Sequence, residues 1–398
     1  MSVPRSGFLS SHRGVGAALA ALCTTVPAHA LLRFNDGRDQ VYVTAYVGAG
    51  YDSNVYTSSS NQDDFIISGG VGLEYARKAG LIGVNGSLGW DLGQFSNLSS
   101  ENFINPSASL EFSKGTGRTT GSIQFNGRRA TMPDPTVGLR TDSWNYGVNL
   151  NLRYPVVDRY SIAGNIGWSR VDYSDESGLF SDLDSYTFGA DLFYSWRSDR
   201  DLLAGYNYKQ SDAQFASSSI DHSVYVGVAG RIVSKLSGSA RVGVTHHTMR
   251  YPGAIPDSST NGLYASVSGT WPASQKATYT LALSQNFSTT SSNFETRTTA
   301  ADLTGQFSHT VKFSTNATLG AGYTEFLSGY AKGASGPTSG FNGQERNDHY
   351  ITIGCGARYA LNSHISFGIN YNYYQSWSSL SSYAFARHSF GINMSTRW

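Results

Sequence analysis

Large apolar side chains recur at every second position over most of the chain, and the residues between them are polar or small. In LIGVNGSLGWDL, Ile82, Val84, Leu88, Trp90 and Leu92 share one parity, while Asn85, Ser87 and Asp91 share the other. In SWNYGVNLNLRY, Trp144, Tyr146, Val148, Leu150, Leu152 and Tyr154 oppose Asn145, Asn149, Asn151 and Arg153. The stretches YTFGADLFYSW and ISFGINYNYY repeat the pattern. So does FARHSFGINMSTRW, where Phe390, Ile392 and Met394 alternate with Ser389, Gly391, Asn393 and Ser395 before Trp398. A period of two is that of a strand with one apolar and one polar face. The runs exceed the ~5–6 residues usual in a sandwich and fit the ~9–11 of a tilted strand that crosses a membrane.

The punctuation follows a rule of its own. Short polar turns stand at RKAG (from Arg77), KGTG (Lys114), PVVDR (Pro155), SDRD (Ser198), SKLS (Ser234), ASQK (Ala273), SHTVK (Ser308) and LNSH (Leu361). Between them lie longer stretches such as TSSSNQDD from Thr57, SDESGLFSDLDS from Ser174 and SGYAKGASGPTSGFNGQER from Ser328. Strict alternation of short turns and long loops marks a membrane barrel with tight periplasmic turns and larger outward loops. The expectation is all-β: a transmembrane antiparallel up-and-down β-barrel of about 18 strands, with 16 possible, and both termini on the periplasmic side. Turns at roughly forty-residue intervals raise a propeller as a rival. Each period, however, holds two long strands rather than four short ones, and the WD at Trp90 does not recur with a blade signature.

The N-terminus adds a compartment. Arg5, His12 and Arg13 precede the apolar run GVGAALAAL, and AHA at Ala28–Ala30 offers small residues for cleavage, the layout of a secretory signal peptide. The expected organisation is a signal peptide over 1–30 and one barrel over 31–398. A membrane anchor fits less well, because the run falls far short of the ~20 residues a spanning helix needs. Removal of the signal also removes Cys23 and leaves Cys355, which cannot form an internal disulfide.

Composition agrees. Lys plus Arg is 29 and Asp plus Glu 28, so no basic face invites nucleic acid and no acidic run forms a solvating tail. Aromatic residues at 13%, led by 25 Tyr, together with 44 Gly suit strands with a wet and a greasy side and an aromatic interface.

A barrel of ~16–18 strands leaves an aqueous channel. Turning the polar parity inward makes Glu74, Asp91, Glu111, Arg128, Lys209, Arg231, Arg241 and Arg358 the candidate pore-lining charges, with Arg153, Asp191 and Asp302 beside them. Glu74, Asp91 and Glu111 fall on strands two to four and Lys209, Arg231 and Arg241 on strands nine to eleven, a transverse field unless each is neutralised near its turn. Arg231 and Arg241 flank SKLS at similar distances and read as like charges facing across strands, which is unfavourable without an acidic partner or ligand. Between the charges the inward face is Ser, Thr, Asn and Gly, as at Ser266, Ser268, Thr270, Asn370 and Asn372. Such groups suit hydrated sugars and equally a water-filled pore. Tyr251 and Tyr330 at loop tips offer rings for sugars or belong to the aromatic girdle. The loop from Ser328 to Arg346 is long enough either to narrow the lumen or to remain surface decoration.

Enzymatic and metal readings find little support. His246 and His247 fall on opposite faces of a strand and read as solvated upper-strand residues. The acidic stretch Asp175, Glu176, Asp182 and Asp184 lacks the spacing of a calcium loop. GGVG at Gly69 is followed by no helix that would make a phosphate cradle. No catalytic residue, metal or cofactor is expected.

Two resemblances complete the reading. A final strand carrying Phe390, Ile392, Met394 and Trp398 resembles the assembly signal of bacterial outer-membrane barrels, in which the last strand closes the barrel. GYDSNVYTSS, Gly50 to Ser59, resembles the signature of the putative beta-barrel porin 2 family, and KLSGSARVGV and GLYASVSGTW resemble its later hairpins over most of the mature chain. The resemblance implies a protein of the Gram-negative outer membrane, many of whose relatives are associated with exopolysaccharide export. Its expected partners are outer-membrane lipids, the barrel assembly machinery, polysaccharide and periplasmic export proteins. The function it implies is a conduit or accessory porin for exopolysaccharide; a general diffusion porin and a non-transport anchoring barrel are the alternatives.

Overall fold

The computed structural model describes residues 32–398 apart from 36–37, 78–79, 175–179, 215–216, 252–254, 330–337, 340 and 342. The expected signal segment therefore lies outside the described residues, as do Asp175, Glu176 and Tyr330. Eighteen long strands follow one another: β1 (Asp39–Asp52), β2 (Asp64–Arg77), β3 (Gly83–Phe95), β4 (Phe103–Lys114), β5 (Thr120–Asp134), β6 (Leu139–Val157), β7 (Tyr160–Tyr173), β8 (Leu183–Arg197), β9 (Arg200–Ala213), β10 (Ser218–Val233), β11 (Leu236–Arg250), β12 (Ser258–Pro272), β13 (Ala277–Thr289), β14 (Phe294–Ser308), β15 (Phe313–Gly329), β16 (Asn347–Ala360), β17 (Ile365–Ser378) and β18 (Phe385–Arg397). Each pairs antiparallel with the next, and short strands at Leu32–Phe34 and Thr338–Ser339 add to β1 and β15. No described helix is long and apolar enough to cross a membrane, which is no objection to a protein that crosses with strands.

The sheet closes on itself. β18 pairs with β1 from Thr44↔Arg397 to Asp52↔Ser389, so no edge is left to the hydrocarbon, as a membrane barrel requires. Trp398 completes the seam: its N–H donates to Val43 O and its carbonyl accepts from Val43 N, both at 2.9 Å, while its ring stacks on His364 at 4.3 Å. Phe390 and Ile392 of the closing strand are exposed on the outer face beside Ile369 and Phe367, and Met394 pairs with Phe367 in the same register.

The period-two pattern has the orientation that the sequence implies. Val244 is 65% exposed and Ile67 60%, with Leu88, Trp90, Ile166, Leu319 and Ile353 also exposed. Such a surface would aggregate in water and is the lipid-facing belt of a membrane barrel. The eight short turns that the sequence marks all fall at the end of the barrel where β1 begins and β18 ends.

The opposite end departs from the expected strict alternation. Residues 135–138, 214–217 and 290–293, four apiece, are the whole connections of β5–β6, β9–β10 and β13–β14. Strands of up to 19 residues (β6) continue above the lipid belt and absorb Ser, Thr and Asn residues that composition alone assigns to loops.

Candidate functional site

The neutral inner face is built from a repeated unit. Asn126, Asn149, Asn165, Asn316, Asn370, Asn372 and Asn393 each lay a side-chain amide across a lumen-facing glycine of a neighbouring strand, namely Gly147, Gly167, Gly189, Gly356, Gly391, Gly354 and Gly368. A Cβ at Gly189 would stand 2.1 Å from Asn165 Oδ1 and one at Gly147 2.6 Å from Asn126 Oδ1, so these glycines make room for the amides. Hydroxyl pairs fill the gaps, Ser87 with Ser109 at 2.7 Å and Ser366 with Ser395 at 2.8 Å. The result is a stretch of inner wall lined by uncharged donors and acceptors.

The eight candidate charges all occupy inward positions in the strands, and most have a local partner. Arg397 meets Glu74 at 2.8 Å, Tyr46 donates to Asp91 at 2.8 Å, and Asn85 donates to Glu111 at 3.4 Å. Arg231 lies 3.7 Å from Asp199 and Arg241 3.4 Å from Asp191, which also accepts from Tyr225 at 2.7 Å. Lys209 donates to the carbonyl of Phe287 at 3.0 Å. Arg128 and Arg358 are exposed to the lumen and have no ion-pair partner among the described residues. Glu74, Asp91, Lys312, Arg358, His364 and Arg397 share one cavity of about 810 Å³ toward the periplasmic end. The facing of Arg231 and Arg241 is corrected by the register: Arg231 opposes Ser237 and Arg241 opposes Gly227, so each answers its own aspartate instead of the other arginine. Local neutralisation at Glu74, Arg231 and Arg241 also damps a transverse field. Asp182 and Asp184, from the acidic stretch, pair with Arg170 at 3.6 and 3.1 Å.

Sequence reasoning missed the closed mouth. Pairing between β12 and β13 stops at Ala265↔Gln285, and above it the top of β13 parts from β12 and bends into the lumen together with the top of β14, which stays paired with β15 as far as Phe294↔Gly329. Phe287, which shares the parity of the lipid-facing Leu281 and Leu283, instead stacks on lumen-facing His247 at 4.6 Å, beneath Gly262. The tight turn beyond it, with Asn293 at φ 62°, crosses the barrel. There Ser291 Oγ donates to Asp134 at the top of β5 and its carbonyl accepts from Ser181 N at 2.9 Å, while Ser217 donates to Asn293 at 2.8 Å. In an 18-strand barrel β5 and the β13–β14 turn stand nearly opposite, so these contacts span the diameter.

His247 is not the solvated residue that its position suggested. It is 3% exposed, with Nδ1 2.6 Å from Asp221 Oδ1 and Nε2 3.6 Å from Glu295 Oε2. Glu295 is 1% exposed, accepts from Thr289 Oγ1 at 2.5 Å, and leaves Oε2 without a hydrogen-bond partner. It lies eight residues above Leu303, outside the lipid belt. Burial pushes its carboxyl above the ordinary carboxylate range, opposed by His247 and the Thr289 hydrogen bond.

The described part of the 328–346 segment also packs inward. Phe341 joins Phe294 and Phe326 in a buried cluster against Leu380 and Tyr383. Arg346, 2% exposed, lies over Tyr383, Phe326 and Phe341 at 4.0, 4.3 and 4.7 Å, pairs with Asp348 at 2.8 Å, and reaches Thr136 O at 3.1 Å between β5 and β6.

A closed barrel with a lipid belt outside and a hydrated lumen inside is an outer-membrane porin-like protein. Residues 223–398 match the family described as putative beta-barrel porin 2, which bears out the family reading over that part of the chain; GYDSNVYTSS lies outside the match. No curated protein matches. Among solved structures, OpdK of Pseudomonas aeruginosa with vanillate is 11% identical, with 90% of this chain and 99% of that one covered and a TM-score of 0.47. The FrpB iron transporter of Neisseria meningitidis is 10% identical with a TM-score of 0.46, over 84% of this chain and 62% of its own, so this chain spans less than two thirds of that relative. A bacterial polysaccharide outer membrane secretin is 10% identical with a TM-score of 0.35, over 89% and 98%.

Proposed function

We propose that the protein is an outer-membrane channel for neutral, hydroxyl-rich solutes, acting as a conduit or accessory porin in exopolysaccharide export. The observation that carries this is the amide-over-glycine lining: seven lumen asparagines held in fixed orientation, each with amide donors and a carbonyl acceptor. A saccharide presents hydroxyls that both donate and accept, and oriented amides exchange for its hydration water more readily than fixed charges do. Among the charges of the 810 Å³ periplasmic cavity Glu74 and Arg397 form an ion pair and Asp91 accepts from Tyr46, while Lys312 and Arg358 add positive charge beside the neutral amide face.

The test is current blockade in planar bilayers. A neutral oligosaccharide added to the periplasmic side should interrupt the ion current, with dwell times shortened several-fold in an Asn149→Ala, Asn165→Ala variant. Ion current without blockades would favour the general diffusion porin. Absence of current under every condition would favour the anchoring barrel.

A further inference from the structure

The tops of β13 and β14 stay paired with β15 as far as Phe294↔Gly329 and are held in the lumen by side-chain contacts with other parts of the inner wall. Lys209 of β9 holds the Phe287 carbonyl at 3.0 Å, Ser219 of β10 meets Thr289 at 3.2 Å, and Ser217 holds Asn293 at 2.8 Å. At the centre Glu295 abuts the imidazole of His247, whose other nitrogen is taken by Asp221. We infer that residues 288–296 form a retractable gate, docked through Glu295 on the Asp221–His247 pair and released when that buried cluster loses a proton. The inference rests on reading the barrel as a channel.

The charges around Glu295 set the sign. β9 contributes Lys209, which is engaged with the Phe287 carbonyl; β10 contributes Asp221; β11 contributes His247; β13 contributes the uncharged Phe287 and Thr289. Arg297, the nearest cation on β14 itself, is held by Glu325 of β15. An ionised Glu295 would place a second carboxylate on an imidazole already committed to Asp221, with Oε2 buried and unbonded. Docking raises the carboxyl above its ordinary range, and withdrawal into water returns it there. The docked state therefore holds the extra proton: its stability is fully present below the ordinary carboxylate pKa and is lost as pH rises through the raised value. On the β12 side withdrawal breaks no strand pairing, because β12 is held by β11 up to Ser258↔Met249 and β13 is unpaired from it above Ala265↔Gln285. On the other side residues 294–296 remain laddered to β15, so the top of β15 moves with the gate, hinging at the register irregularity between Glu295 and Thr296.

Potassium chloride conductance in planar bilayers reads the gate without any saccharide. The wild-type current should rise several-fold between pH 5 and pH 8.5. Glu295→Gln, neutral and of the same shape, should stay low at both, with gel mobility before and after heating showing that its barrel is folded. A second arm fixes the gate itself: Ser219→Cys with Thr289→Cys, in a background without Cys23 and Cys355, should stay low at pH 8.5 when oxidised and recover the rise on reduction. Equal wild-type currents at both pH values, a Glu295→Gln variant that opens like wild type, or a cross-linked protein that conducts like the reduced one would each overturn the gate and leave the channel reading intact. Absence of current from every variant at every pH would overturn both. Missing oligosaccharide blockades with a normal pH response would remove only the saccharide reading.

Discussion

Arg387 of the last strand grips Asp52 of the first with two nitrogens, Nε at 2.9 Å from Oδ1 and Nη2 on Oδ2. The seam is thus clamped at its outer end by an ion pair, as Val43 and Trp398 clamp it at the periplasmic end. The same Asp52 accepts from Asn54 N at 3.0 Å, and buried Asn54 donates to Ser58 O, Asn61 Oδ1 and Ala386 O, so DSNVYTSS folds over the seam as a cap.

Breaking that clamp is expected to cost about 1.5–3 kcal/mol, the range for hydrogen bonds to charged groups. Asp52→Ala and Arg387→Ala should each lower the temperature at which the folded band on unheated gels is lost, and the double variant should cost less than the sum of the two. Additive effects would mean that the pair does not couple the strands.

The two faces of β6 give a sharper contrast. Leu150 opposes Ile123 and Ile166 on the lipid side, whereas Asn149 faces the lumen above Gly167. Leu150→Arg should cost about 2–4 kcal/mol and impair insertion, while Asn149→Arg should be tolerated. Yield of heat-modifiable protein in membranes measures both, and equal tolerance would contradict the facing.

Arg346 ties three connections together through Tyr383, Asp348 and Thr136. Arg346→Ala leaves Asp348 without its cation inside a packed cluster and is expected to cost about 3–5 kcal/mol of mouth stability. Protease cleavage near residue 341 should appear in the variant and be absent from the wild type. Arg346→Lys should rescue only part of it, because an ammonium cannot spread over three rings and a carboxylate as a planar guanidinium does.

Strand number and facing were legible in the sequence because both follow from local alternation: Leu150 and Asn149 declare their sides by parity alone. The closed mouth was not. Phe287 carries the parity of a lipid-facing residue, and only the end of β12–β13 pairing at Ala265↔Gln285, a contact between distant residues, turns that face inward. The available signal was chemical: Asp221 and His247 occupy inward positions on adjacent strands, and Glu295 shares the parity of Leu303 where an apolar residue would be expected. The pore charges were likewise placed by parity, whereas their partners, such as Asp199 for Arg231, depend on register across turns.

Gly262 offers a way to displace the hairpin without touching any titratable group. A Cβ there would lie 2.6 Å from Phe287 Cζ and 2.7 Å from Cε2, far inside contact distance, while the backbone pairs with Thr245 as an ordinary strand residue. Gly262→Leu should leave β11 and β12 paired and expel the Phe287 ring, at a cost of about 1–3 kcal/mol for overpacking. Because that ring is the hairpin's stacking partner on His247, the hairpin should leave with it, so that current at pH 5 rises several-fold and no longer responds to pH. The complementary change vacates the space: Phe287→Ala in the Gly262→Leu background lets the new side chain occupy the site of the ring and should return the current at pH 5 toward the wild-type level. A Gly262→Leu barrel that folds and stays closed would show that Phe287 is not what holds the hairpin against the wall.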